Sequence, residues 1–435
     1  MHGEKRLAGK IAIVGGGISG LALAYYLARA EKKVTLYEAS SEFGGLGSQF
    51  EFNGNYFEKF YHCMLPTDDS LLKLLSELKL EREVYWKESQ FGYYHQGQIY
   101  PLNTASDLLK FKPLSFLGRL RLGASGIYTT LHSGKNLDRI TFREWIIPVC
   151  GNETYQKFFR PLLAAKFGGA ADGVPALWFW ARFNREKGAK KEVKGYIRGG
   201  YRRIVAALSQ ACKARGATLL SDQPVSGVSA ADNGALEVIV PEGSFIFDAV
   251  VATCPLPLLF DIVRDDKVAG GLEKYRSIDY AGVINTVIFL KEPLKLGYWT
   301  ATPEEQLPFQ GIVNLSALID IDDLAGEYPV HLMYYCHRNS EQYRRNTEST
   351  RDEFSDAFVR HFLAGQSSKI KESFCFKAPF VEPLFSTGFL EQKPVFELLP
   401  GHFYLCTTPQ VYPEVASWNS SIQLARELSR VIERA

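Results

Sequence analysis

Near the start of the chain, a glycine-rich turn lies between a short apolar segment that predicts a strand and a segment that predicts a helix. Residues 11–14 (IAIV) are apolar and mostly β-branched, as in a strand buried within a parallel sheet. The turn that follows has the spacing GxGxxG, with glycines at Gly15, Gly17 and Gly20. Residues 21–29 then predict a helix, and residues 33–37 predict a second strand that ends before Glu38. In this order, the spacing predicts a dinucleotide-binding βαβ unit.

Each position of the turn has a physical task. Gly15 permits the tight turn, Gly17 lets the backbone approach a pyrophosphate, and Gly20 lets the helix pack closely on the strand. The start of the helix, at Ile18 and Ser19, offers unpaired N–H groups and the positive end of the helix dipole to phosphates. The turn therefore predicts a phosphate-binding site.

The segment after the second strand helps to separate NAD from FAD, since both cofactors use such a turn. Glu38 is placed to accept hydrogen bonds from ribose hydroxyls. Residues 38–45 read EASSEFGG, which resembles the E-x(5)-G-G continuation of flavoproteins related to glutathione reductase. The resemblance is to the subgroup that contains flavin amine oxidases, protoporphyrinogen oxidases and phytoene desaturases. It implies FAD as the cofactor, with contacts from Ala39, Gly44, Gly45 and Leu46.

Later segments resemble the same subgroup in their order and spacing. Residues 224–228 resemble the strand that meets the adenine, which implies a contact from Val225. Residues 247–255 match a "V-x-A-T-x-P" strand end, which implies a contact from Thr253. The last helix is expected from Ser420 to residue 434 with Asn419 as its N-cap. In the family the start of this helix points at the pyrimidine edge of the flavin.

The resemblance implies an α/β fold in which a Rossmann-like FAD-binding domain of glutathione-reductase type is interleaved with an α+β substrate domain. The FAD-binding domain is expected to use residues 8–90, 195–278 and 396–435. The substrate domain is expected to use residues 91–194 and 279–395.

Four residues are candidates for catalysis. Tyr61 and His62 lie in a segment that the family brings to the flavin ring, and His62 can exchange a proton near neutral pH. The competing interpretation of His62 is a wall residue that fixes the flavin. Tyr412, in the C-terminal loop, is expected either to line the cavity or simply to pack within the loop. Asn285 occupies the apparent position of the lysine that amine oxidases of the family place near flavin N5, which argues against amine oxidation.

The resulting hypothesis is a FAD-dependent oxidoreductase that moves a hydride from a bulky, partly apolar substrate to flavin N5. One alternative is a non-redox flavin mutase that acts on a nucleotide sugar, like UDP-galactopyranose mutase. Against it, the apparent positions of the mutase arginines hold Gly169 and Gln310–Gly311. A catalytically silent binding protein with a flavin fold is the other alternative.

Charge and cysteine content limit the remaining classes. The net charge is +2 over 435 residues, and no nucleic-acid-binding module appears. Residues 182–203 carry net +7 and residues 105–145 carry net +4; the first is expected to be a solvated loop and the second an ordinary helical part of the substrate domain. The alternative for both is a peripheral membrane or lipid-phosphate surface that leads to the cavity.

Seven scattered cysteines without metal spacing favour a reducing compartment and no metal site. The expectation is a cytoplasmic enzyme of a small-molecule or lipid-linked substrate, attached at most peripherally to the inner face of the membrane.

Overall fold

The computed structural model describes residues 9–185, 192–231 and 234–434. The strands, in chain order, are β1 (Lys10–Val14), β2 (Lys33–Tyr37), β3 (Gln49–Phe52), β4 (Asn55–Glu58), β5 (Val84–Glu88), β6 (Phe91–His95), β7 (Gln98–Pro101), β8 (Val193–Ile197), β9 (Thr218–Leu220), β10 (Gly227–Ala230), β11 (Leu236–Val240), β12 (Gly243–Phe247), β13 (Ala249–Ala252), β14 (Tyr280–Leu290), β15 (Trp299–Ala301), β16 (Gly311–Asn314), β17 (Tyr328–His337), β18 (Ile370–Pro383), β19 (Glu397–Leu399) and β20 (Phe403–Leu405).

The helices, in chain order, are α1 (Ile18–Arg29), α2 (Asp69–Glu77), α3 (Ala105–Leu109), α4 (Phe116–Leu131), α5 (Phe142–Thr154), α6 (Arg160–Phe167), α7 (Ala176–Asn184), α8 (Tyr201–Lys213), α9 (Leu256–Ile262), α10 (Asp266–Glu273), α11 (Glu341–Arg344), α12 (Thr347–Phe362), α13 (Phe389–Gln392) and α14 (Trp418–Arg434). No helix in the described ranges is both long and apolar enough to cross a bilayer.

A six-stranded sheet carries the glycine-rich turn. Its strand order is β19-β20-β13-β1-β2-β9, and all neighbours are parallel except β19 and β20. The apolar run of β1 is buried because the sheet has layers on both faces: α1, α8 and α14 pack together on one of them. The predicted α/β fold with a Rossmann-like unit is confirmed.

A seven-stranded sheet forms the second layer system. Its order is β18-β14-β17-β16-β15-β6-β7, and every residue of its long strand β14 is buried. Helices α3 to α7 lie between β7 and β8 in the chain, and α12 packs against β14 and β18. The six-stranded sheet takes its strands from residues 10–37, 218–252 and 397–405, whereas the seven-stranded sheet uses residues 91–101 and 280–383. The domain boundaries given above stay a prediction.

The C-terminal helix starts differently from the prediction. It begins at Trp418, and the Ser417 hydroxyl accepts a hydrogen bond from the Ser420 amide at 3.2 Å. Asn419 instead caps α2, because its Oδ1 accepts hydrogen bonds from the amides of Ser70 (2.9 Å) and Leu71 (3.1 Å). The prediction that Asn419 caps its own helix is therefore wrong: the residue joins two helices that lie far apart in the chain.

Candidate functional site

A cavity of about 1020 Å³ begins at the carboxyl ends of β1, β2 and β13 and extends to the seven-stranded sheet. The residues that follow these three strands, Gly15, Glu38 and Thr253, all line it. In open parallel sheets the carboxyl ends of the strands are where ligands bind. The volume is at the upper limit of ordinary small-molecule pockets, which hold roughly 300–1,000 Å³. The cavity thus suits a long ligand that spans both sheets.

The glycine-rich turn forms the phosphate end of this cavity. Gly15 has φ +110°, a conformation that favours glycine, and its amide donates to the carbonyl of Tyr37 at 2.9 Å. A Cβ on Gly20 would lie 2.0 Å from the Gly15 carbonyl oxygen, so only glycine lets α1 start this close to the turn. The N-cap of α1 is Gly17, and no side chain caps its first-turn N–H groups. Those groups are available to an anion.

The Glu38 carboxylate ties the turn to the loop behind it. Its Oε2 accepts from the amide of Gly16 at 2.6 Å, and its Oε1 accepts from the amide and hydroxyl of Ser40 at 2.9 and 2.7 Å. The double-glycine segment lies against the same turn, since the Gly44 amide donates to the Gly16 carbonyl at 2.9 Å. These contacts hold Glu38 at the cavity wall, where its remaining lone pairs can accept from hydroxyl groups.

The residues present fit a bound dinucleotide. A Cβ built on Gly17 would touch only the Gly45 Cα, at 4.0 Å, so open space lies over the helix start. Deeper in the cavity, the Tyr201 hydroxyl and the Asn285 Oδ1 are buried without a hydrogen-bond partner in the described chain. Buried polar atoms are seldom left unpaired, so a polar ligand is expected at both.

His62 lines the cavity, and its ring contacts the buried carboxylate of Glu58. Its Nδ1 lies 3.1 Å from Oε2 of Glu58, which is only 4 % exposed. The other oxygen of Glu58 accepts from the hydroxyl of Tyr196 at 2.6 Å and from the amide of Tyr201 at 3.2 Å. A carboxylate can only accept, so Nδ1 of His62 carries the proton and Nε2 of the neutral ring is free of one. In the neutral form of the ring, this contact leaves Nε2 as a hydrogen-bond acceptor.

Asn285 has one amide orientation that its neighbours allow. Its Nδ2 donates to the carbonyl of Lys59 at 2.7 Å and lies 2.8 Å from Nδ1 of His331. The reverse orientation would set its Oδ1 against the Lys59 carbonyl, two acceptors in contact. Oδ1 is therefore the atom left without a partner in the described chain, and it can accept a hydrogen bond from a bound group.

We expect His331 to make folding stability depend on pH. Burial lowers the pKa of His331 to about 3, against 6.5 for the free side chain. Between these values the unfolded chain binds a proton that the folded chain does not, so stability is lost as pH falls below 6.5, by up to about 1.4 kcal/mol per pH unit. His331→Gln retains an acceptor for Asn285 without a titrating group. The free energy of unfolding of both proteins, measured with urea at pH 7, 6 and 5, should fall more steeply with decreasing pH in the wild type. An equal dependence on pH in the two proteins would contradict the lowered pKa of His331.

Cationic side chains gather on the wall formed by α6, α7 and β8. The cavity is lined there by Lys166, Arg182, Arg185 and Lys194. Lys166 pairs at 3.2 Å with the buried carboxylate of Glu382, and Arg185 pairs with Asp68. Residues 182–203 were expected to form a solvated loop. That expectation is wrong for Arg182, Arg185 and Lys194, which line the cavity. Residues 186–191, with Lys187, Lys190 and Lys191, lie outside the described residues.

The structure brings most of the predicted site residues to one cavity. The following line it: Gly15, Gly17, Ile18, Ser19, Glu38, Ala39, Gly44, Gly45, Leu46, Tyr61, His62, Val225, Thr253, Asn285 and Asn419. Gly20 lies beneath the turn. Ser420 is buried inside α14, and its hydroxyl donates to the carbonyl of Val415 at 2.9 Å.

Tyr412 is placed elsewhere. It is fully buried, does not line the cavity, and packs against the rings of Phe385 and Phe389. Its hydroxyl donates to Oδ1 of Asp138 at 2.6 Å, and the other oxygen of Asp138 accepts from the Leu390 amide at 3.2 Å. The interpretation of Tyr412 as a cavity-lining aromatic gives way to the alternative of packing.

We expect Tyr412→Phe to lower the free energy of unfolding by about 1–3 kcal/mol, because it removes a donor from the buried Asp138 carboxylate. Flavin content and the visible flavin spectrum should not change. Tyr26→Phe is the matched control, since the Tyr26 hydroxyl is buried without a partner in the described chain and its loss should cost little. A changed flavin spectrum at unchanged stability would return Tyr412 to the active site.

Sequence reasoning missed several side chains that line the cavity or contact its lining residues. Glu58 stands four residues before His62, and this spacing of an acid and a histidine was the available signal. His331 lies on β17, which no motif marks. The four cations were visible only as members of a basic stretch or of a longer family segment, because their convergence depends on how α6, α7 and β8 pack.

The parallel sheet, the glycine-rich turn and the long cavity are those of a dinucleotide-binding protein. A model of the flavin containing amine oxidoreductase family matches residues 18–364, so the chain belongs to that family. It is a FAD-dependent oxidoreductase by family, and FAD is its cofactor, as predicted.

The chain resembles individual members over different shares of its length. It is 22 % identical to coproporphyrinogen III oxidase of Staphylococcus aureus over 321 residues, which cover 65 % of this chain and 67 % of that protein. Across eight curated relatives, the matched share of their own length runs from 31 % to 67 %. A solved protein of Exiguobacterium sp. 255-15 with the provisional name protoporphyrinogen oxidase superposes with TM-score 0.78 at 16 % identity, covering 98 % of both chains.

Reduced UDP-galactopyranose mutase superposes with TM-score 0.74 at 16 % identity, covering 98 % of this chain and 96 % of that one. At these identities the two structures show the shared fold.

Proposed function

We propose that this chain oxidises a bulky, partly apolar substrate by passing a hydride from a substrate C–H bond to N5 of the bound FAD. One observation carries the proposal: a single cavity joins the phosphate-binding turn to a wall that holds Tyr61, His62 and Asn285. A cofactor held at this turn would therefore share one cavity with the candidate catalytic side chains. Bound FAD supplies the two-electron oxidation, and the protein must position the substrate and manage its proton.

The substrate end of the cavity supports a large ligand with an anionic group. Its apolar wall comes from the seven-stranded sheet, with Val283, Met333, Phe380 and Val381 among the lining residues. The cation-bearing wall holds Lys166, Arg182, Arg185 and Lys194. Lys166, Arg185 and Lys194 already pair with Glu382, Asp68 and Glu192, and a carboxylate or a phosphate of the substrate can join this group of charges. An amphiphilic substrate satisfies both walls, whereas a small amine leaves most of them without contact.

His62 is proposed to accept the substrate's proton. Hydride loss from carbon leaves a cationic or protonated product unless a neighbouring proton departs with it. We propose that Nε2 of the neutral His62 ring accepts this proton, because Glu58 keeps the ring's own proton on Nδ1. The same carboxylate stabilises the ring once it is charged. The acceptor Oδ1 of Asn285 is proposed to orient a donor group of the flavin or of the substrate.

Flavin reduction under anaerobic conditions tests the proposal. The purified, FAD-loaded protein is mixed with candidate donors of the classes that the relatives' names give: a porphyrinogen, an amine and a carotene. We expect the visible flavin band to bleach with an amphiphilic anionic donor and not with a small amine. A protein that cannot be loaded with FAD, or a flavin that no donor reduces, would overturn it.

The mutase-type alternative keeps one observation in its favour, the cations at the substrate end of the cavity. The positions at which the family's clamp was sought do not supply it, because neither Gly169 nor Gln310 lines this cavity. Gln310 lines a separate cavity of about 500 Å³. Turnover of a nucleotide sugar by the dithionite-reduced protein, without net oxidation, would select this alternative. A protein that holds FAD but shows neither reaction would be a silent binding protein.

The cellular setting is also a proposal. All seven cysteines are free thiols, which supports a reducing compartment such as the cytoplasm.

A further inference from the structure

Helix α4 is built with its apolar side chains facing outward. The side chains of Phe116, Leu120, Ile127 and Leu131 recur at intervals of four, seven and four residues, so they share one face of the helix. They are 65, 48, 65 and 80 % exposed, and Leu117 beside them is 55 % exposed. A contiguous exposed patch of this kind on a protein marks a surface that something covers.

The opposite face of the same helix is small and polar. Its buried residues are Gly118, Ser125 and Thr129, with Leu122 half buried beside them. The two hydroxyls need no external partner, because Ser125 donates to the Arg121 carbonyl and Thr129 donates to the Ser125 carbonyl, both at 2.8 Å. Small residues let α4 pack closely on its neighbours while its large apolar groups stay outside. The sequence predicts only an ordinary helical part of the substrate domain here, whereas the structure shows an apolar face directed to the outside.

Neighbouring elements extend the patch toward the cavity. Leu109 on α3 and Phe183 on α7 are 49 and 40 % exposed, and both helices pack against α4. A Cβ on Gly126 would lie 3.7 Å from the ring of Phe183, so this ring adjoins the face directly. The residue before it, Arg182, lines the cavity. One short helix thus carries an outer apolar group and an inner cationic group.

The patch has a basic surround. Residues 105–145 carry net +4 while the whole chain carries +2, so the remainder of the chain carries −2. Lys110, Lys112, Arg121 and Lys135 are exposed within this stretch. A second copy of the chain docked on the same face would bring two basic surrounds together, which electrostatic repulsion opposes. An anionic lipid surface offers both an apolar layer and the opposite charge.

We propose that the outward face of α4, with Leu109 and Phe183, docks the protein on an anionic lipid bilayer. The helix has 16 residues and so spans about 24 Å, which is shorter than the hydrocarbon core of a bilayer, about 30 Å, and its other face is held by protein. It therefore lies in the interface with its apolar side chains among the acyl chains. Resting on the proposed function, this orientation brings the wall at Arg182 near the lipid from which an amphiphilic substrate would come.

Flotation with lipid vesicles tests the docking. The FAD-loaded full chain is mixed with vesicles of phosphatidylcholine alone, or of equal parts phosphatidylcholine and phosphatidylglycerol, at low and at physiological salt. We expect binding to the anionic vesicles, with weaker binding as salt rises. The combined change Ile127→Ser and Leu131→Ser should reduce the bound fraction at least tenfold. Lys110→Gln with Lys112→Gln should weaken binding and flatten its salt dependence.

The control is the pair Phe245→Ser and Ile246→Ser on β12, whose side chains are 44 and 52 % exposed far from α4 in the chain. This variant should bind vesicles like the wild type. Absence of wild-type binding, or equal binding by the α4 variant, would overturn the proposal. So would a protein dimer that the α4 variant abolishes while vesicles do not bind. Flavin content and flavin reduction in solution should be unaffected in the α4 variant, so failure of docking and failure of the proposed chemistry can be told apart.

Discussion

Gly17→Glu should give a folded protein that retains no FAD. Gly17 caps α1 with φ −68° and ψ −177°, an extended conformation open to any residue, and its Cβ would meet only the Gly45 Cα at 4.0 Å. The protein itself therefore accepts a side chain at this position. A glutamate there would place its carboxylate over the helix N-terminus, where it occupies the phosphate position and repels phosphate. The measurement is flavin content after purification and after reconstitution, together with a thermal melt.

Two variants bracket this result. Gly173→Glu makes the same chemical change at an exposed glycine outside the cavity and should keep full flavin content. Gly20→Ala should instead damage the fold, by roughly 1–3 kcal/mol or more, because its Cβ would lie 2.0 Å from the Gly15 carbonyl oxygen. Normal flavin content in Gly17→Glu would refute the assignment of the phosphate site. An unfolded Gly17→Glu protein would contradict the open space seen above Gly17.

Glu58 should show the second large effect, and its two variants should separate stability from catalysis. Glu58→Leu leaves the buried Tyr196 hydroxyl, the Tyr201 amide and the His62 ring without their acceptor, so we expect a loss of about 3–5 kcal/mol in the free energy of unfolding. Glu58→Gln keeps a carbonyl for the two tyrosine contacts and replaces the acceptor at His62 by an N–H donor. It should fold within about 1–2 kcal/mol of the wild type.

The glutamine variant tests the proton position. Facing an N–H group, His62 must carry its own proton at Nε2, so that it can no longer accept one from the cavity in the neutral state. With the donor that reduces the wild-type flavin, we expect Glu58→Gln to reduce it about 10²–10⁴-fold more slowly, the usual contribution of a general base. Glu51→Gln, at an exposed position on the neighbouring strand β3, should match the wild type. An unchanged rate in Glu58→Gln would leave His62 as a wall residue only.

The cofactor end of the site was predictable because its contacts are local. Gly15, Gly17 and Glu38 meet one ligand surface as a consequence of one turn and two adjacent parallel strands. Spacing in the chain therefore translates directly into spacing in the site. The position of Gly44 and Gly45 was predictable for the same reason. A short loop brings them back to the turn, where the Gly44 amide donates a hydrogen bond to the Gly16 carbonyl.

The substrate end could not be read in this way. The acceptor atom of Asn285 depends on Lys59 and His331, which lie 226 and 46 residues away from it. Asn419 was expected to cap its own helix, and it caps α2 instead because α2 packs against α14. The sequence leaves open whether Tyr412 lines the cavity or packs within its loop, and Asp138, 274 residues away, decides for packing because it offers the hydroxyl a buried partner. Each outcome depends on a long-range contact that no local pattern encodes.

The order and spacing of residues are enough to predict the βαβ unit and the phosphate-binding turn, and the resemblance to flavin amine oxidases adds FAD as the cofactor. A hydrogen-bonded turn and its flanking elements depend on residues only a few positions apart, so the sequence is enough to predict their structure and the ligand that they bind. Three features emerge only from the packed structure: Glu58 orients His62, four cations meet at one wall, and α4 turns its apolar face outward. These depend on which faces of distant elements pack together, because burial, and not periodicity, selects the side that meets the core.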